Sequence, residues 1–597
     1  MAQLDPLPAG TKPTRCQSLR LLRLLLLCGA VYAALLLCWD VGQLGQLTAP
    51  AEVKSTAKPS MKLVSVSTDT QAASPVESAE EAEQHARSVK ILPPNETRLR
   101  NWRCIGWKAT RDCSPYGPRE VKGDLSCSRR IPNGDAGYCE LEDIDSGERF
   151  RVMRRYCGSL RNSAQFRCGD AAAFANFPMK AKEVVEKALA PGYTLPNIDS
   201  GADGIVMVVY PKMVASAYAT LKTLRELFGC RLPIEIWYRP REISAVPAAL
   251  APLQGLARNQ TYEGEITFHE IGDAWAMGFT TKIYAIYNSF FDRVLFLDAD
   301  NVPVRDPSFL FEAPEFVDTG ALFWPDFWHP KRTIFNINAH SPLWEMLSMP
   351  FPNMFEQESG QLLIDRRRHT ASLELVFFYA FHQPNHFKKF SLVHGDKDLF
   401  RLAWMKLDVP FHMILYPPAV AGKVINESFC GMTMVQHDTQ GEILFLHRNS
   451  NKLTGGPPMT ANERLLTIRR KRNKRLRIAQ GLDTSEAEQP TPEPAGEADA
   501  YPDPIFWSHI LSFNRTSRQS NYFIETYNAY PEFPKEQNCY GQRELGKNKH
   551  FYAQEVANMT FAGLETSIRH FAFEAVQLQK EAQTLAEKSS NTKPSVR

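Results

Sequence analysis

The stretch RVLFLDADNVPVRDP (Arg293–Pro307) sets four apolar residues, Val294 to Leu297, directly before two carboxylates one residue apart, Asp298 and Asp300. An unbroken apolar run of this kind suits a buried strand. Along an extended chain, residues two apart point to the same side, so both acids can face one cation. Carboxylate oxygens suit Mg²⁺ or Mn²⁺, which keep coordination positions for phosphate oxygens. Such an ion would neutralise a departing diphosphate. Acid triplets also occur in solvated turns and helix caps. The apolar strand before this one and the Asn301, Val302, Pro303 run after it favour the metal reading.

Other residues fit the same chemistry. His447 ends a second strand-like run, ILFLH (Ile443–His447), and a neutral imidazole can complete the metal shell, although a lone histidine is more often structural. Lys452 can meet a diphosphate as a point charge, or be an ordinary surface lysine. Lys282 lies on a helix before the acid strand and can contact the same ligand, although an exposed helix lysine is the common case. In ESGQLLID (Glu358–Asp365), Glu358, Ser359 and Gln361 offer polar groups for sugar hydroxyls, or for turn formation. Asp365 reads as a partner of Arg366–Arg368. HGDKD (His394–Asp398) places Asp396 and Asp398 around Lys397. Either acid can stand near a developing oxocarbenium charge or orient an acceptor hydroxyl, with Asp396 the first candidate. Either can equally cap the helix that follows.

Those groups need a frame. GIVMVVYP (Gly204–Pro211) and LPIEIWYRP (Leu232–Pro240) read as strands, with a helix over Met213–Gly229 between them. Ile266–Ile271 adds a strand, Thr280–Phe291 a helix, and Val294–Leu297 the strand before the acids. This alternation predicts an α/β sheet with mostly parallel central strands. In such sheets, ligands bind beyond the carboxyl ends of the strands.

The chain has 597 residues, 44% of them hydrophobic and 11% aromatic, with a formal net charge of +3. It can bury more than one core, and its charge singles out no polyanionic partner. Lys12, Arg15, Arg20 and Arg23 precede an apolar run from Leu24 to Trp39, read as an uncleaved membrane anchor over residues 19–40 behind a cytoplasmic tail of residues 1–18. The alternative is a cleaved signal peptide. Both readings place the remainder in the secretory lumen. Five Asn-x-Ser/Thr triplets agree, at Asn95, Asn259, Asn426, Asn514 and Asn558. So do nine cysteines beyond residue 40. Six of these, Cys104 to Cys168, are spaced too irregularly for zinc and admit 15 disulfide pairings. With Cys230, Cys430 and Cys539 the number is odd, so at least one is free or pairs with another chain. Residues 41–100 read as a flexible stem, 101–178 as a cysteine-rich module, 200–460 as the catalytic domain, 461–503 as a linker and 504–597 as a helical extension. The basic run RRKRNKRLR (Arg469–Arg477) reads as the end of a solvated helix, or its RRKR as a processing site. Behind a membrane anchor a nucleic-acid role is remote.

Several blocks in order resemble the fungal Golgi α-mannosyltransferases of the Mnn type. They are LRELFGCRLPIEIWY (Leu224–Tyr238), TTKIYAIYNSFFDRVLFLDADNVPVRDP (Thr280–Pro307), ESGQLLIDRRRH (Glu358–His369), HGDKDLFRLAW (His394–Trp404) and the region Phe429–Leu453. The resemblance implies a GT-A (Rossmann-like nucleotide-diphospho-sugar transferase) domain with a disulfide-rich N-terminal module and a single transmembrane helix. It implies a metal held by Asp298, Asp300 and His447, with Lys282, Glu358, Ser359, Gln361, Lys397 and Lys452 on the donor and Asp396 and Asp398 as catalytic candidates. It further implies GDP-mannose as donor, a glycan or glycoprotein acceptor, retention of anomeric configuration, and Golgi residence as a single-pass protein, as a homodimer or within a Golgi complex. A UDP-sugar donor and a non-catalytic glycan-binding or chaperone protein are the alternatives.

Overall fold

Strand-like runs become three sheets in this computed structural model, which describes residues 79–94, 96, 98–198, 201–329, 331–450, 452–456, 501–528, 533 and 538–591. The expected tail and anchor, and the basic run at 469–477, lie outside the described residues. Among the described residues, no helix is long and apolar enough to cross a membrane.

The first sheet holds β1 (Lys90–Ile91), β2 (Trp102–Thr110), β3 (Ala136–Asp143) and β4 (Arg149–Arg155) in the order β1-β4-β3-β2. Three disulfides staple it: Cys104–Cys127, Cys113–Cys157 and Cys139–Cys168. A fourth joins Cys430 to Cys539, and Cys230 stays free and buried, as the odd number required. The expected stem ends earlier than residue 100. Helix Ala79–Ser88 buries Ala82 and Ala86, and His85 pairs with Glu140 of β3 at 2.9 Å. The module is not a separate bead. Phe166 meets Phe390 at 5.5 Å and Phe177 meets Tyr379 at 5.9 Å, inside one continuous core.

The second sheet comprises β5 (Asp203–Val209), β6 (Ile234–Tyr238), β7 (Ile266–Glu270), β8 (Arg293–Leu297), β10 (Ala321–Pro325), β11 (Gln357–Asp365) and β12 (His412–Met413). Its order is β12-β10-β11-β8-β5-β6-β7. From β8 to β7 the strands run parallel, as expected, but β11 pairs antiparallel with β8. Val294 to Leu297 are fully buried, each side chain contributing about 1.5–3 kcal/mol. The predicted helix after β5 shortens to Val214–Lys222 and ends in a π-helical turn, Thr223–Leu227. The helix before β8 covers Thr280–Asn288.

The third sheet is antiparallel, in the order β17-β18-β14-β13-β16-β19. It contains β13 (Ala419–Ile425), β14 (Ser428–His437), β16 (His509–Phe513), β17 (Glu525–Asn528), β18 (Asn538–Gly541) and β19 (Phe551–Glu555). β15 (Ile443–His447) pairs with β14 and with the short β9 (Asn301–Pro303). The C-terminal region expected to be helical therefore supplies four strands before its helix, Leu564–Asn591. Short strands such as β19, with four exposed residues after its buried Phe551, show no two-residue period to announce them.

Arg366 locks the second sheet to the helix before β8. Its buried guanidinium donates to the carbonyls of Ser289 (2.7 Å), Phe291 (2.5 Å), Pro196 (2.8 Å) and Tyr287 (2.7 Å). Arg367 goes to Asp292 and Arg368 to the carbonyls of Val317 and Asp318, each at 2.6 Å. The pairing expected for Asp365 is thus corrected: its carboxylate accepts the backbone N–H of Arg368 at 3.0 Å. Backbone carbonyls take the guanidinium groups of Arg366 and Arg368, and the Asp292 carboxylate takes that of Arg367.

Replacing Cys139 and Cys168 by alanine should cost about 2–5 kcal/mol of stability, measured by chemical denaturation. Replacing all six clustered cysteines should lower secreted yield more than turnover per folded molecule, and equal loss of both would place the module in the active centre.

Candidate functional site

Where β8 ends, β11 continues its ladder by one bond: Asp298 N–H donates to Gly360 O at 2.9 Å. Asn301 then donates from its side chain to Gly360 O (2.8 Å) and Gln361 Oε1 (2.6 Å), fixing the turn that holds the two acids. Arg448 N–H donates to Asp300 O at 3.0 Å. β9 follows at once and pairs with β15 in the register Asn301↔His447. The imidazole is thereby delivered to the carboxylates.

His447 Nε2 lies 3.4 Å from Asp300 Oδ1 and 3.9 Å from Asp298 Oδ2. One ligand atom from each of the three residues lies within 4.8 Å of the others. Metal–ligand bonds of about 2.1 Å place neighbouring ligands about 3–4 Å apart, so one ion fits among them. A mixed carboxylate and imidazole set suits Mn²⁺ at least as well as Mg²⁺. On its far side, His447 Nδ1 faces Glu358 Oε1 at 3.6 Å. That carboxylate is itself held by the N–H groups of Ser359 (3.0 Å) and Gly360 (2.8 Å). The imidazole fits only because residue 360 has no side chain: a Cβ there would lie 2.5 Å from His447 Nδ1.

Lys282, read as a donor contact or an exposed helix lysine, is buried. Its ammonium donates to Ser359 O (2.5 Å) and Oγ (3.1 Å) and to Asp298 Oδ2 (3.2 Å), with Asp396 Oδ2 at 3.5 Å. Burial works against its charge, but Asp298, Asp396 and Glu358 together hold it above the ordinary lysine value. Burial raises the Asp396 carboxyl, Lys282 draws it back, and the net shift is upward. Lys452 pairs with Asp300 and donates to Arg448 O at 2.6 Å. Around the three ligands, among the described residues, Asp298, Asp300, Glu358 and Asp396 face two ammonium groups, Lys282 and Lys452. That excess of negative charge is what a divalent cation would balance.

These residues line one cleft of about 690 Å³, together with Lys397. Two predicted residues do not reach it. Gln361 is fully buried opposite Leu297 and is spent on Asn301. Asp398 is fully buried and accepts from Gln357 N–H (3.1 Å) and Arg401 Nε (2.7 Å), so it braces the helix Leu399–Leu407 against β11. Lys397 reaches the cleft from within a carboxylate cage, Asp326 at 2.5 Å and Glu356 at 2.7 Å. Burial pushes the Asp326 carboxyl up to about 6 despite Lys397.

The cleft also contains residues that sequence reasoning passed over. Tyr210, Arg239 and Glu242 lie beyond the carboxyl ends of β5 and β6. The strand-end rule applied to β8 would have found them there too. Phe327 and Trp328 follow β10, and Tyr540 comes from β18. Tyr540 had no local signal, since only tertiary pairing brings it near.

Residues 202–438 match the family described as "Mannosyltransferase putative". Alpha-1,2-mannosyltransferase MNN5 of Saccharomyces cerevisiae is 26% identical over 290 residues, covering 40% of this chain and 49% of that one. Alpha-1,2-mannosyltransferase MNN2 of the same yeast is 27% identical over 270 residues, covering 39% and 45%. Alpha-1,2-mannosyltransferase MNN24 of Candida albicans is 28% identical over 246 residues, covering 36% and 34%. The chain spans about half the length of the first two of these relatives or less. Among solved structures, the mannosyltransferase Ktr4p of S. cerevisiae in complex with GDP aligns at 10% identity and a TM-score of 0.24, over 43% of this chain and 82% of that one. The glycosyltransferase GlyE of Streptococcus pneumoniae TIGR4 aligns at 14% and 0.25, over 35% and 45%. TM-scores of this size give the structural likenesses no weight.

Gly360→Ala should displace the imidazole and weaken Mn²⁺ binding by about 10- to 100-fold, measured by calorimetry on the folded protein. Unchanged affinity would remove His447 from the metal shell.

Proposed function

We propose that this chain, whose residues 202–438 are related to the Mnn-type α-mannosyltransferases, is a metal-dependent retaining transferase. It moves mannose from GDP-mannose to a glycan or glycoprotein acceptor. The observation that carries the reading is the cluster of Asp298, Asp300 and His447 at the carboxyl end of a buried central strand, opening into a cleft. The family relationship supports mannose as the transferred sugar. The sheet, with its parallel half and ligand cleft beyond the strand ends, supports a GT-A catalytic domain. The disulfides and the acceptor triplets for N-glycosylation fit residence in the Golgi lumen, with residues 19–40 as anchor and 461–503 as a linker.

Asp298, Asp300 and His447 would hold Mn²⁺ or Mg²⁺, and when bound the ion supplies positive charge to the donor diphosphate. The chain does the rest. Glu358 and Gly360 orient the imidazole. Lys282, clamped between Asp298, Asp396 and Ser359, fixes the acids at a set spacing. Lys452, which neutralises Asp300 here, is the ammonium placed to turn toward the diphosphate. Tyr210 and Arg239 lie where the nucleoside end would rest. Asp396 offers a buried carboxylate to the positive charge that builds at the anomeric carbon, where low local polarity strengthens the attraction. In a retaining transfer the acceptor proton can pass to the departing phosphate oxygen, so no side chain need act as the base.

Asp298→Ala and Asp300→Ala should each lower transfer by at least about a hundredfold with the fold intact by circular dichroism. Turnover retained in either variant would dismiss the metal assignment. A thermal-shift titration with GDP and with UDP, with and without Mn²⁺, should show a Mn²⁺-dependent shift for GDP. A preference for UDP would replace the donor, and no shift with either nucleotide would favour a non-catalytic glycan-binding protein.

A further inference from the structure

We propose that the chain beyond residue 500 completes a subsite for the acceptor sugar, with Tyr540 as an aromatic platform beside Phe327 and Trp328. This rests on reading the cleft as a site of nucleotide-sugar transfer. In the second sheet, β8 stands between β5 and β6 on one side and β11 and β10 on the other. The acids leave from β8, so the cleft has two arms. The arm over β5 and β6 ends at Tyr210 and Arg239 and gives the nucleoside its room. The other arm passes Glu358 and Asp396, runs over the end of β10, and changes character there.

Phe327 and Trp328 are 3% and 6% exposed, and both line the cleft. The Tyr540 ring lies 5.7 Å from that of Phe327 at an angle of 30°. Beside these rings, the Asp326–Lys397 pair also lines the wall. A flat apolar face next to a charged pair is the chemistry that takes a pyranose: its C–H face on the ring, its hydroxyls on the polar groups. A nucleoside diphosphate, with its charge held at the acid cluster, has no call on this arm.

Tyr540 is placed by two devices. β18 pairs with β14 in the register Gly431↔Tyr540, and the neighbouring Cys539 is bonded to Cys430. The approach needs glycine at 431, where a Cβ would fall 2.2 Å from Tyr540 O. Tyr540 lies outside the residues matched by the family, 202–438. Acceptor choice is therefore read in part by a segment beyond the family match.

The test is a calorimetric titration of the folded protein with methyl α-mannopyranoside and an α-linked mannobiose, in the presence of GDP and Mn²⁺. Wild type should bind, Tyr540→Phe should stay within about threefold, and Tyr540→Leu should lose about tenfold, as about 1.4 kcal/mol of ring contact requires. Trp328→Ala should repeat the loss and serves if Tyr540→Leu does not fold. Wild-type affinity in both Tyr540→Leu and Trp328→Ala overturns the subsite, and so does failure of wild type to bind either sugar. A separate titration of wild type with GDP and Mn²⁺ judges the donor reading alone: mannoside binding without nucleotide binding sinks that reading and leaves the subsite standing.

Discussion

The three-residue pairing of β9 with β15 is the constraint on which the site depends. Asp298 and Asp300 follow the last strand residue of one sheet, and His447 ends a strand of another. They meet because the chain, on leaving the acid pair, hydrogen-bonds at once to the strand that ends in the histidine. A slip of one residue in that register would turn His447 away and present Leu446 to the carboxylates. The backbone bond from Arg448 to Asp300 and the side-chain bonds of Asn301 resist such a slip from both ends.

Around this junction the charges are arranged as nested pairs. The inner acids face Lys282 and Lys452, and behind them Lys397 sits among Asp326, Glu356 and Asp398. Each buried ammonium would be costly alone and is retained because carboxylates surround it. The outcome is a wall in which Lys282 and Lys397 are each held by several partners. Their spacing is set before any ligand arrives, which is the condition for electrostatic stabilisation without reorganisation.

The sequence made part of this legible. The acid pair, His447, Lys282, Lys452, Glu358, Ser359 and Asp396 all reach one cleft, because apolar runs before the acids and before the histidine marked strand ends. Gln361 and Asp398 were misread for a common reason. Polar type is visible in a sequence, but direction is not, and both point into the interior. The C-terminal strands escaped notice because their exposed residues blur the two-residue period, and Tyr540 because the cleft residues beside it, Phe327 and Trp328, lie far away in sequence. The disulfide pairing was beyond reach until the sheet set which sulfur atoms stand close.

The bond between Cys430 and Cys539 closes a loop of 109 residues, and the tetrabasic RRKR at 469–472 lies inside it. A convertase that severed the chain there would not release the C-terminal piece. The two pieces would stay covalently tied, and β13 would still be zipped to β16 across the break. Nicked and intact molecules would therefore migrate together on a non-reducing gel and part only when thiol is added.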